Sequence, residues 1–128
     1  MNERIVVLLL IGSGGFIGTL LRYLISINTG LKFFSVLPAG TFIVNIVGSF
    51  LIGIFICFSE RLKMNENVRL FLTAGFCGGF TTFSAFSAEI FSMLKNQLII
   101  PSFIYIVGSI FISIIALFLG FIITKACI

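Results

Sequence analysis

Gly75-Phe76-Cys77-Gly78-Gly79-Phe80-Thr81-Thr82-Phe83-Ser84-Ala85-Phe86 lies in the middle of a segment apolar enough to cross a membrane. A simple membrane anchor would carry Leu and Ile there; this one concentrates glycines and hydroxyl side chains. A glycine pair followed by two threonines predicts a break in the helix at bilayer depth. Unpaired backbone in hydrocarbon costs several kcal/mol per group, so a break survives only where protein buries it or where it binds something. Phe83 and Phe86 are three residues apart and share one helical face. A helix break, a polar patch and a paired aromatic face together point to an ion site.

Outward from this stretch, the 128 residues are 59% hydrophobic and only 9% charged, with a mean hydropathy of +1.28. Soluble domains carry about 25% charged residues. Four apolar stretches, Ile5 to Ile27, Ala39 to Phe58, Leu70 to Leu94 and Ile99 to Thr124, reach the roughly 20 residues that a bilayer crossing requires. They predict an all-α membrane protein of four transmembrane helices with a break in the third, a single domain over residues 1–128 that leaves no room for a soluble catalytic unit. Arg4 ahead of an apolar run also suits a signal peptide. Signal h-regions run about 7–15 residues, whereas this stretch continues into Arg22-Tyr23, so it reads as a retained helix.

The chain has no His and no Asp, which removes the usual zinc ligands and most general-base chemistry. Cys57, Cys77 and Cys127 are odd in number and lie in or beside apolar segments, so they read as small hydrophobes and not as disulfides or metal ligands. A non-enzymatic protein is predicted. The net charge of +4 forms no basic stripe, since Arg61, Lys63 and Arg69 share a short loop with Glu60 and Glu66; this argues against nucleic acid as a partner. With four spans, Arg4, Arg61, Lys63, Arg69 and Lys125 fall on one side of the membrane, and Arg22, Lys32 and Lys95 on the other. That imbalance is a weak positive-inside signal, compatible with insertion in either orientation.

Polar residues inside the spans supply the remaining candidates. Gly14 and Gly18 have the GxxxG spacing that lets helix backbones approach closely, and Ser49 and Gly53 repeat the small-residue pattern. Arg22 reads either as a snorkelling anchor or as part of a charged vestibule. Thr41 and Asn45 share a face, and Asn45 either bonds a neighbouring helix or donates to a passing anion. Glu89 is the one acid well inside a span, which makes it a candidate for the mouth of a pathway. Tyr105, Ser109 and Ser113 follow one another at four-residue intervals and make a hydroxyl track down an Ile/Phe-rich helix.

These residues resemble the small bacterial fluoride channels, the Fluc or CrcB family, over essentially the whole chain. The resemblance rests on Gly14-Gly15-x-x-Gly18 with Arg22-Tyr23, on Gly40-Thr41-x-x-x-Asn45-x-x-Gly48, and on Gly75 through Phe86 followed by Glu89. It implies a multi-pass protein of the bacterial inner (cytoplasmic) membrane that exports fluoride passively and relieves its toxicity. It also implies an antiparallel, dual-topology homodimer within the lipid bilayer, with two fluoride pathways between the subunits. By that resemblance Phe83, Phe86 and Asn45 are pore residues, Tyr105, Ser109 and Ser113 the polar track, and Thr41 and Ser84 lining residues. Arg22 and Glu89 are assigned to the vestibule or pathway mouth. The backbone carbonyls of Gly78 and Thr81 are implied to hold a structural sodium ion at the dimer centre. Ala85 stands where such proteins commonly have a hydroxyl residue.

The residue chemistry agrees with this assignment. An aromatic ring has a positive edge that an anion meets favourably, and fluoride, small and strongly hydrated, needs several donors in place of water. Freed helix carbonyls suit a cation such as sodium. A four-helix proton-coupled multidrug antiporter would need an acid within the first span, and Glu3 at the chain end is the nearest. A potassium-type filter such as TVGYG is absent. A non-transporting assembly subunit would account for the packing glycines, but not for a hydroxyl track beside Asn45 and paired phenylalanines.

Overall fold

The computed structural model describes residues 2–28, 32–33 and 36–128. Four helical segments have the length and hydropathy to cross a membrane: α1 (Glu3–Asn28), α2 (Ala39–Arg61), an interrupted segment over Glu66–Lys95, and α6 (Ile99–Cys127). They match the four apolar stretches and extend them by at most about one turn. A two-residue antiparallel ladder, β1 (Lys32–Phe33) against β2 (Leu37–Pro38), lies in the link between α1 and α2 and was not foreseen from the sequence. The side chain of Lys32, counted above among the far-side charges, lies outside the described residues.

The third segment is composite. It begins as α3 (Glu66–Leu70), capped by Asn65, whose Oδ1 accepts from Asn67 N–H at 2.9 Å. It then widens into a π-helical turn over Phe71–Cys77 and tightens again as α4 (Gly78–Phe80). Thr81 (φ −83°, ψ 158°) and Thr82 (φ −151°, ψ 125°) are extended, and α5 (Phe83–Lys95) follows. Gly78 keeps helical angles (φ −62°, ψ −38°). The backbone therefore leaves the helix at the threonines and not at the glycine pair.

What the glycines provide is close approach. A Cβ on Gly18 would lie 2.2 Å from Phe76 O, and one on Gly79 would lie 2.4 Å from Gly15 O. The small residues thus let α1 seat directly on the backbone of the π turn and α4. A second seam joins α2 to α6, where a Cβ on Gly53 would lie 2.0 Å from Leu117 O and one on Gly120 2.2 Å from Phe50 O. Between these pairs runs a small core of Phe86, Met93 and Tyr105, with Phe42, Ile90 and Ile106 packed around it. The outward faces carry large apolar residues such as Leu8, Phe16, Ile100, Phe103 and Phe118. So much exposed apolar surface suits hydrocarbon as the solvent and not water. The fold is that of a multi-pass helical membrane protein.

The seams give a direct stability test. Gly53→Ala and Gly120→Ala should each cost about 1–3 kcal/mol, as overpacking usually does. Gly12→Ala, at a position with nothing within 4 Å, should unfold at or above the wild-type temperature because alanine is the better helix former. Thermal unfolding in detergent distinguishes the three.

Candidate functional site

The residues that stabilise the extended pair come from both sides of it. Asn45, on the second turn of α2, donates from Nδ2 to Thr82 O at 3.1 Å and accepts from Thr82 N–H at 2.9 Å through Oδ1. The two bonds satisfy one residue's donor and acceptor at once and fix which end of the carboxamide is which. Of the two readings open for Asn45, the structure shows the bond to a neighbouring segment, and one N–H of the amide is left over for other use. Thr82 is also the N-cap of α5, its Oγ1 accepting from Ala85 N–H at 3.1 Å. Thr81 Oγ1 turns back to Cys77 O at 2.8 Å.

These bonds redirect donors that a continuous helix would use elsewhere. Thr82 N–H would return to Gly78 O, and Ala85 N–H would return to Thr81 O. Both now go to side-chain oxygens, so the carbonyls of Gly78 and Thr81 lose their helical partners. Gly79 O has replacements: Arg22 Nε donates to it at 3.1 Å and Thr19 Oγ1 at 3.4 Å. Arg22 is thus engaged with the end of α4, a contact that neither the anchor nor the vestibule reading contained.

A cleft of about 260 Å³ opens beside the junction, lined by Asn45 and Ser49 of α2, Phe83 and Phe86 of α5, and Ser109 and Ser113 of α6, together with Thr81 and Thr82. The two rings touch, with centroids 5.8 Å apart and planes inclined by 49°. They differ in cover: Phe86 is 6% exposed and packs on Tyr105 with centroids 5.1 Å apart, whereas Phe83 is 77% exposed. Ser109 Oγ is buried with no hydrogen-bond partner among the described residues. Helical serines ordinarily return their proton to a carbonyl one turn back, as Ser102 does to Leu98 O at 2.6 Å. Ser109 keeps its hydroxyl free beside the cleft.

The other candidates form a separate group. Thr41 Oγ1 donates to Glu89 Oε1 at 2.6 Å and Tyr105 OH donates to Glu89 Oε2 at 2.7 Å. Each carboxylate oxygen is met by a hydroxyl from a different helix, which explains how an acid is tolerated inside a span. Thr41 and Tyr105 therefore spend their protons on Glu89, and of the hydroxyl track only Ser109 and Ser113 line the cleft. Ser84 is exposed, its Oγ 3.2 Å from Thr82 Oγ1. Sequence reasoning missed Thr82 and Ser49. A threonine directly before an apolar helical run is an N-cap signal, and Ser49 follows Asn45 by one turn, so both were available to it.

An interrupted helical span, reinforced by a carboxamide and flanked by a polar and aromatic cleft, defines a membrane protein built around an intramembrane polar site. Comparison with known proteins carries this further. The profile of the family described as "CrcB-like protein, Camphor Resistance (CrcB)" matches residues 9–121. A protein from Phocaeicola vulgatus named "Fluoride-specific ion channel FluC" is 47% identical over 113 residues, covering 88% of this chain and 93% of the relative. Proteins of the same name from Gloeothece citriformis and Chlorobium phaeobacteroides are 43% and 42% identical, covering 92% and 94% of this chain and 96% and 94% of those relatives. The chain belongs to the CrcB family.

The cap at the break should be measurable. Thr82→Val keeps the shape and removes the acceptor of Ala85 N–H, and should destabilise the protein by about 1 kcal/mol, the usual worth of an N-cap. Thermal unfolding of the detergent-solubilised protein reads the loss; Thr82→Ser should recover most of it.

Proposed function

We propose that the protein is a fluoride-selective passive channel that lets fluoride leave the cytoplasm down its gradient and so relieves fluoride toxicity. The observation that carries the reading is the free, buried Ser109 hydroxyl in a cleft shared with Asn45, Ser113 and the Phe83–Phe86 pair. Fluoride must exchange its water for donors. Ser109 Oγ–H, the remaining Asn45 N–H and Ser113 Oγ–H supply them, and the ring edges of Phe83 and Phe86 add weaker attraction. Among the described residues no Lys or Arg lines the cleft, so the ion is held by dipoles that can release it. Family membership and the printed names of the relatives support the same reading. Thr41, Tyr105 and Ser84 extend the pathway beyond the cleft, with Glu89, held between the first two, at its mouth.

The functional unit in this reading is an antiparallel, dual-topology homodimer in the bacterial inner membrane. Phe83 is exposed on the single chain, and a Cβ on Gly78 would meet Thr73 O no closer than 3.8 Å, so neither position is closed by the chain itself. A second copy in the opposite orientation would cover Phe83 and complete a pathway at each interface. The carbonyls of Gly78 and Thr81, freed of their helical donors, fit a hard monovalent cation. Two copies would present four such oxygens to one structural sodium ion. That ion supplies only positive charge at the centre; the chain's own residues do the conducting.

Reconstituted in liposomes, the protein should release fluoride and retain chloride once potassium can move to compensate charge. Dependence on an opposing proton gradient would favour an exchanger instead. Phe83→Ile and Phe86→Ile, which keep an apolar side chain but remove the ring edge, should each cut fluoride efflux by about tenfold or more while the dimer still assembles. Near-normal efflux in both would reduce the pair to packing. Single cysteines placed in the Lys63 loop should label from both sides of the membrane.

A further inference from the structure

Among the carbonyls of α4 and its exit, those of Gly78, Gly79 and Thr81 have different fates. Gly78 O and Thr81 O lose their helical donors to Asn45 and Thr82, while Gly79 O is claimed by Arg22 Nε and Thr19 Oγ1 from α1. The Arg22 contact reaches across 57 residues of sequence, from one span to the break in another. The approach is fixed by backbone: Gly79 sits so close to Gly15 that no side chain fits between them. Arg22 is half-buried, and its terminal amino groups have no hydrogen-bond partner among the described residues. Its Nε is the atom committed to the protein.

We propose that Arg22 is a positioning residue, whose Nε–H holds the Gly79 carbonyl toward α1 so that the Gly78 and Thr81 carbonyls, and not that of Gly79, face outward as cation ligands. A cation at the C-terminal end of a helix is favourable in itself, and a charge-assisted hydrogen bond is stronger than a neutral one. The larger consequence is geometric. With Gly79 O pinned, the last turn of α4 is held against a rotation that would bring a different carbonyl to the exposed side, and Gly79 O is kept from Phe83 N–H, its donor in a continuous helix. The proposal rests on the sodium reading given above and adds the residue that sets the ligand geometry.

The chemistry of the side chain separates this role from that of a vestibule charge. Glutamine carries its amide nitrogen as many bonds from the backbone as arginine carries Nε, so Arg22→Gln keeps the donor and loses the charge. Arg22→Lys keeps the charge and moves the donor one bond further out. Arg22→Met keeps the length and supplies no donor. Two readouts apply to the assembled, detergent-solubilised protein: the sodium concentration that half-maximally raises its unfolding temperature, with N-methylglucamine as the replacement cation, and amide hydrogen exchange at Thr81 and Thr82. Arg22→Met should raise the half-maximal sodium concentration, and the exchange at both threonines, by about tenfold, whereas Arg22→Gln should change each by less than about threefold. Arg22→Lys should resemble Arg22→Met. If Arg22→Lys matches the wild type while Arg22→Gln behaves like Arg22→Met, the charge is what matters and the positioning role is wrong. Wild-type values in all three variants would overturn it equally. If the wild-type protein shows no sodium response, the sodium reading falls, and exchange at the two threonines alone decides whether Arg22 pins the break.

Discussion

Two hydrogen bonds between the Asn45 carboxamide and the backbone of Thr82 are the constraint on which the rest of the molecule depends. Extended backbone inside a membrane span is untenable unless something supplies its bonds. Asn45 is the group that does so for Thr82, and it does so from another helix, so the break and the placement of α2 are one feature. From that pairing follow the capping of α5 by Thr82, the release of two carbonyls, and the cleft between Asn45, Phe83 and Ser109. A polar side chain that is costly in hydrocarbon is retained because it makes an irregular backbone tolerable there.

The glycine seams serve the same arrangement from outside. Gly15 and Gly18 bring α1 onto the backbone of the π turn and α4, and Gly53 and Gly120 bring α2 onto α6. With both seams closed, Arg22 reaches the end of α4 and Ser109 reaches the cleft. Packing at this distance leaves little freedom to the junction between them. The proposed fluoride pathway would require that rigidity: an ion that exchanges water for an amide, two hydroxyls and ring edges gains only if those groups are already in place.

Much of this was legible in the sequence, for identifiable reasons. The four spans follow from hydropathy alone, because a bilayer imposes length and composition more strictly than water does. Gly14 and Gly18 announce close packing by their spacing, and the structure places both against backbone. Partners across the chain were not legible. Nothing local to Arg22 indicates that its acceptor is Gly79 O, although an arginine within a span must find an acceptor and a broken helix has carbonyls to offer. Glu89 read as the mouth of a pathway because its position was visible, while the Thr41 and Tyr105 hydroxyls that hold it come from two other helices. Phe83 and Phe86 looked equivalent at three-residue spacing. Only the packing of α5 on α6 distinguishes the covered ring from the exposed one.

The central claim is that Thr81 and Thr82 are extended at membrane depth and that Asn45 holds them so. Solid-state NMR of selectively labelled protein in lipid bilayers tests it most directly, through the Cα and Cβ shifts of the two threonines and a correlation between the Thr82 amide nitrogen and the Asn45 side-chain carbonyl carbon. The account predicts extended-backbone shifts at both threonines and a clear correlation, since Thr82 N lies 2.9 Å from Asn45 Oδ1. Helical shifts at Thr81 and Thr82 with no correlation to Asn45 would contradict it.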